Sequence, residues 1–91
     1  MSVTMRIPTP LRRLTDGVDK VQVDAATLAQ AIERLEGRYP GVKERLLDED
    51  GELRHFVNIY VNGEDVRFLQ GLQTGTKTGD EVSIVPAVAG G

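Results

Sequence analysis

One segment of this chain repeats its apolar residues at helical spacing, and it lies between segments that alternate with period two. Leu28, Ala31, Ile32, Leu35 and Tyr39 recur on one side, while Gln30, Glu33, Arg34 and Glu36 fall on the other. Thr27 followed three residues later by Gln30 reads as a capping box and starts the helix near Thr27. Gly37 and then Pro40-Gly41 mark its exit. A helix with one apolar face must bury that face on another layer. The flanking alternation says that this layer is a sheet.

Before the helix, Val3, Met5 and Ile7 alternate with Thr4 and Arg6, and Pro8 and Pro10 end that strand because proline cannot donate to a ladder. Leu11 and Leu14 tuck a loop against the core, and Asp16-Gly17 is a turn. Val21 and Val23 then alternate with Lys20, Gln22 and Asp24, giving a second strand antiparallel to the first. After the helix, Val42 and Leu46 stand four apart and predict a short helical turn. Phe56 to Asn62 is the strongest strand, with Val57, Ile59 and Val61 on one face and Asn58 and Tyr60 on the other. Asn62-Gly63 is a hairpin dipeptide, and the chain returns through Glu64-Asp65-Val66-Arg67-Phe68. Gly79-Asp80 turns into a last strand with Val82 and Ile84 facing inward, which puts Val85 outward with Glu81 and Ser83.

The expected order is strand, strand, helix, short helix, strand, strand, strand. A right-handed crossover sets the last strand beside the first in a mixed sheet of four to five strands. That is an α+β, β-grasp (ubiquitin-like) architecture, with residues 1–85 as the folded domain and residues 86–91 as a flexible tail.

Composition excludes several kinds of function. Ninety-one residues make one small domain. The net charge of −3, with Lys and Arg dispersed, argues against nucleic acid as a partner. No apolar run is long enough for a membrane span and no signal segment follows Met1, so a cytoplasmic location is expected. With no cysteine there is no disulfide framework and no thiol nucleophile. The single histidine, His55, lacks a nucleophile elbow to work with and is expected to be a partly packed residue at a strand edge. Asp48-Glu49-Asp50-Gly51 lacks the ligand spacing of a calcium loop and reads as a solvated turn. Gly71, Gly75 and Gly79 neither follow a strand nor open an apolar helix, so they are not a nucleotide loop. No metal site is expected in this chain, and it is not expected to be an enzyme.

What remains is the end of the chain, Pro86-Ala87-Val88-Ala89-Gly90-Gly91, in which nothing after Pro86 is larger than valine. Six extended residues reach about 20 Å, enough to thread a narrow channel while the body stays outside. Gly90 and Gly91 have no Cβ, so a nucleotide or nucleophile can approach the terminal carbonyl from either side. On the functional reading the reactive group is the Gly91 carboxylate, with Gly90 giving clearance and Ala87, Val88 and Ala89 lining the channel; a frayed terminus, or a binding module with an incidental Gly-Gly, is the alternative that the tail by itself leaves open. Val85 and Phe68 are the expected partner contacts.

Thr78 to Gly91, with its Gly-Asp, alternating aliphatics, Pro86 and terminal Gly-Gly, resembles the ubiquitin-like sulfur carriers of the ThiS and MoaD group. Ala87 departs from the second proline common in molybdopterin-synthase small subunits. His55 to Asn62, Glu64 to Phe68 and Glu44-Arg45-Leu46 are similar to the branch that serves O-phosphoserine-dependent cysteine synthesis. The resemblance implies that an E1-like adenylating and sulfurtransferase enzyme uses ATP to activate Gly91, which then becomes a thiocarboxylate. It further implies a pyridoxal-phosphate cysteine synthase that takes the sulfur, and a JAMM-type zinc metalloprotease that releases the cysteine left on Gly91. ATP, pyridoxal phosphate and zinc belong to these partners, and the carrier itself is expected to be monomeric when free. A carrier for the molybdopterin or thiamin pathway, and a modifier conjugated to proteins through Gly91, share the same tail and remain open alternatives.

Overall fold

The computed structural model describes residues 2–86. Five strands form one sheet: β1 (Ser2–Arg6), β2 (Lys20–Asp24), β3 (Val57–Val61), β4 (Glu64–Asp65) and β5 (Glu81–Pro86). Their spatial order is β2-β1-β5-β3-β4. β1 pairs antiparallel with β2 and parallel with β5, and β5 pairs antiparallel with β3. The mixed β-grasp sheet expected from the alternation is present, with five strands.

Helix α1 (Leu28–Arg38) crosses one face of this sheet, followed by the short α2 (Val42–Leu46). Leu28, Ala31, Ile32 and Leu35 share one buried cluster with Val3, Met5, Val23, Ile59, Val82 and Ile84. Each aliphatic side chain buried in this way stabilises the fold by about 1.5–3 kcal/mol. Thr27 caps α1 as its spacing predicts, its Oγ1 accepting from Gln30 N at 3.2 Å. Gln30 reaches back one residue further than in the usual box, to Ala26 N at 2.9 Å. The helix runs through Gly37 rather than ending there, because Tyr39 N still finds Leu35 O at 2.8 Å. The turn comes at Gly41, whose φ of 106° is open to glycine. Glu36 then accepts from Gly41 N and Lys43 N, at 3.1 and 2.9 Å, and so begins α2.

The outer edge of β2 is guarded by α1. Arg34 Nε donates to Asp24 O at 3.2 Å and Arg38 Nη1 to Gln22 O at 2.6 Å. These guanidinium groups occupy carbonyls that an open edge strand would offer to another chain.

Two expectations about β-structure need correction. The return from the hairpin is a strand only at Glu64–Asp65; Val66–Phe68 is a single 3₁₀ turn. Asp65 Oδ1 accepts from Arg67 N at 2.8 Å, bending the chain and driving Val66 into the core. His55 is not packed at a strand edge but exposed in a turn, since Val57 N bonds to Arg54 O at 3.1 Å and pushes His55 and Phe56 outward.

The loop containing Gly71 and Gly75 is sewn to the start of α1. Leu28 N donates to Thr74 O, Thr76 N to Ala26 O and Thr76 Oγ1 to Ala25 O, each at 2.9 Å. With Leu28 N and Gln30 N both engaged by the protein itself, this helix end does not form a phosphate cradle.

Candidate functional site

The site is built around β5, which lies inside the sheet between β1 and β3 and leads to the C-terminal segment. Its start is fixed by a polar cluster. Asn62, with φ 52°, and Gly63, with φ 87°, make the left-handed pair that a two-residue hairpin requires. Asn62 Nδ2 donates to Asp80 Oδ1 at 2.9 Å, and Asn62 Oδ1 accepts from Glu81 N at 2.9 Å. Asp80 Oδ2 accepts from Lys77 N at 2.9 Å. Asp80 is buried, yet the Asn62 amide, and then the Lys77 N–H and charge, hold its carboxyl below the ordinary 3.8. One side chain therefore ties the β3–β4 hairpin to the first residue of β5.

At the other end, Pro86 stands opposite Val57. The β1–β5 ladder stops at Arg6 opposite Ser83, so proline's missing donor falls beyond that neighbour. Val85 faces outward as parity predicts and is 45% exposed. Its ladder partner is Asn58, whose Oδ1 accepts from Arg67 Nη1 at 2.8 Å. Arg67 Nη2 donates to Arg54 O, also at 2.8 Å. Arg67 thus braces the turn before β3 against the 3₁₀ turn that carries Phe68, which is 87% exposed. Phe56 and Leu69 are exposed nearby in sequence. Arg54, Phe56 and Arg67 were not foreseen as parts of this surface. The one available signal was their position flanking the strongest strand.

Pro86, Val85 and Phe68 are thus placed by the structure, whereas Ala87, Val88, Ala89, Gly90 and Gly91 lie outside the described residues. Among the described residues, no group of three or more His, Asp or Glu side chains could hold a metal ion. None of the helices there is long and apolar enough to cross a membrane. What the described part of this arrangement offers chemically is a docking surface: a central strand with an exposed apolar and guanidinium surface at its end.

Comparison with known proteins agrees with that arrangement and defines the class as a ubiquitin-like sulfur carrier. The ThiS family matches residues 5–91, and the chain belongs to it. It is 53% identical over 93 residues to the sulfur carrier protein CysO of Mycobacterium tuberculosis, covering 100% of both chains. Its fold superposes with a TM-score of 0.92 on a chain of the crystal structure of the Amycolatopsis orientalis BexX/CysO complex. That pair is 48% identical, and the match covers 98% of this chain and 99% of the other. It is also 44% identical over 68 residues to small archaeal modifier protein 3 of Haloferax volcanii, covering 75% of this chain and 73% of that one.

Proposed function

We propose that this protein carries sulfur for cysteine synthesis as a thiocarboxylate on Gly91. The observation that carries the reading is the family match through residue 91, on a body whose β5 leads to that residue with an exposed Val85 beside it. A free carboxylate resists nucleophiles. Adenylation by an E1-like enzyme, using ATP, gives the Gly91 carbonyl a leaving group that a sulfur nucleophile displaces. The resulting thiocarboxylate is a soft nucleophile attached to a body that a partner can recognise, so docking replaces diffusion of free sulfide. A pyridoxal-phosphate cysteine synthase is the acceptor's enzyme, and a JAMM-type zinc protease restores the carrier. The free carrier is a cytoplasmic monomer, with Gly90 giving clearance and Ala87, Val88 and Ala89 lining the partner's channel.

Mass spectrometry of the intact chain, incubated with ATP, the activating enzyme and a sulfur source, tests this. The expected shift equals one oxygen exchanged for sulfur at the last residue, and no shift there defeats the proposal. Val85→Asp is expected to weaken docking to the activating enzyme about tenfold, ~1.4 kcal/mol. Its melting curve should match the parent's, because an outward position contributes within about 0.5 kcal/mol. Titration calorimetry with that enzyme reads the difference.

The likeness to a small archaeal modifier protein supports a second reading, conjugation of Gly91 to lysines of other proteins. Immunoblots of cell extracts would then show a ladder of larger species that is lost when Gly91 is deleted.

A further inference from the structure

We propose that Asn62 is a modification site: water converts its amide to a carboxylate through a cyclic imide with Gly63, and Asp80 is the lock that holds this reaction off while the fold is closed. Asn62-Gly63 is the sole Asn-Gly pair in the chain, whose other asparagine, Asn58, is followed by the β-branched Ile59. Glycine puts no Cβ beside the nitrogen that must attack, and the space where one would stand is open. In the reaction the Gly63 nitrogen bonds to Asn62 Cγ, the Cγ–Nδ2 bond breaks, and ammonia leaves with the proton that Gly63 gives up. Water then opens the imide at either carbonyl and leaves aspartate or isoaspartate at position 62. Nothing is oxidised or reduced, and Asn62 and Gly63 are exposed, so water is at hand.

The fold controls the first bond to form. Ring closure needs Asn62 Cγ to swing over the Gly63 nitrogen and turn tetrahedral, so both polar atoms of the amide must be free to move. Both are held: Nδ2 donates to Asp80 Oδ1 and Oδ1 accepts from Glu81 N, each at 2.9 Å. The backbone is held too, because Asn62 N donates to Glu81 O at 2.8 Å. Asp80 is itself fixed in place. Its Oδ2 accepts from Lys77 N at 2.9 Å, its N donates to Lys77 O at 3.0 Å, and it is only 7% exposed. The pair is thus reactive by sequence and closed by structure. Once converted, it does not close again. A carboxylate at position 62 has no hydrogen to give Asp80, and two carboxylates at hydrogen-bond distance repel. Isoaspartate also adds a methylene to the main chain of a two-residue turn whose length sets the register. The modification therefore marks a molecule whose β3–β4 hairpin has come away from the start of β5, and it prevents the return. None of this depends on the carrier reading.

The test follows the full chain in mildly alkaline buffer by peptide mapping and mass spectrometry, which separate the amide from both acid products. Conversion at Asn62 is expected to be about thirtyfold slower, ~2 kcal/mol, in the folded chain than in the same chain held unfolded by guanidinium chloride. Asp80→Ala should regain about tenfold of that rate at a temperature well below its own melting. Asp80→Asn keeps the shape and loses the charge; it should move the rate the same way, and it serves if the alanine variant does not fold. Ile32→Val trims the buried face of α1 without touching the pair and should leave the rate unchanged. Asn62→Asp, the product itself, should melt about 5 °C or more below the parent. Equal rates in the folded and unfolded chains, or no reaction in the unfolded one, overturn the proposal, as does an Asp80 variant as slow as the parent. A rise of about fivefold in Ile32→Val, ~1 kcal/mol, also overturns it, since the opening would then be global rather than local. So does an Asn62→Asp melt that matches the parent's, because the modification would then release nothing.

Discussion

Deleting Gly91, or adding one bulky residue after it, is expected to lower sulfur loading more than about a hundredfold while the melting temperature stays within about 1 °C. The two halves of this prediction have separate physical grounds. On the proposed reading, loading requires the Gly91 carbonyl to sit against an attacking group held by the activating enzyme, and a misplacement of about 1 Å can cost a hundredfold, ~2.7 kcal/mol. Stability, by contrast, resides in the body. Among the described residues the buried cluster runs from Val3 to Ile84, and a change later in the sequence is expected to contribute within about 0.5 kcal/mol. The measurement is the oxygen-to-sulfur mass shift beside a thermal melt of the same sample. Normal loading of either variant would move the reactive atom away from Gly91.

Asp80→Ala is expected to have the opposite profile. Asp80 accepts from Asn62 Nδ2 and Lys77 N, and its loss leaves both donors without their acceptor. Hydrogen bonds to a charged group contribute about 1.5–3 kcal/mol each, and they share one carboxylate here, so about 2–3 kcal/mol is expected for the pair. In a domain of this size that lowers the melting temperature by about 8–20 °C. The pH dependence follows from the same bonds. The folded-state pKa of Asp80 lies below the ordinary 3.8. The unfolded state therefore binds its proton first as pH falls. The contribution is fully present above the unfolded value and is lost as pH drops through the folded one. The parent should lose part of its stability below about pH 4, and the difference between parent and Asp80→Ala should narrow there. A gap that stays constant from pH 7 to pH 3 would show that the charge is not what the two donors need.

The two predictions divide the molecule along a line that was largely legible in the sequence. Period-two stretches around Val3, Val21, Ile59 and Val82 became strands with the expected faces, and the Leu28 to Leu35 stripe became the helix that covers them. Periodicity is readable because burial repeats it at every turn or rung. It was uninformative where one side chain decides the path. Asp65 converts an apparent strand into a 3₁₀ turn through a single bond to Arg67 N. Gly37 is tolerated within α1 because the hydrogen-bond pattern continues past it to Tyr39. Outward Val85 was available from parity alone. The brace of Arg67 on Asn58 and on Arg54 O was not, because it joins residues nine and thirteen apart across a fold not yet formed.

The central position of β5 also bears on how the molecule is made. This strand is translated last among the described elements, yet it fills the gap between β1 and β3. The sheet cannot close until β5 has been made and has taken its place between them. A polypeptide that stops short of residue 81 leaves β1 paired only with β2 and β3 only with β4, each with one open edge. Order of synthesis and order of assembly therefore differ: among the described strands, the last one made is the one that joins the two halves of the sheet.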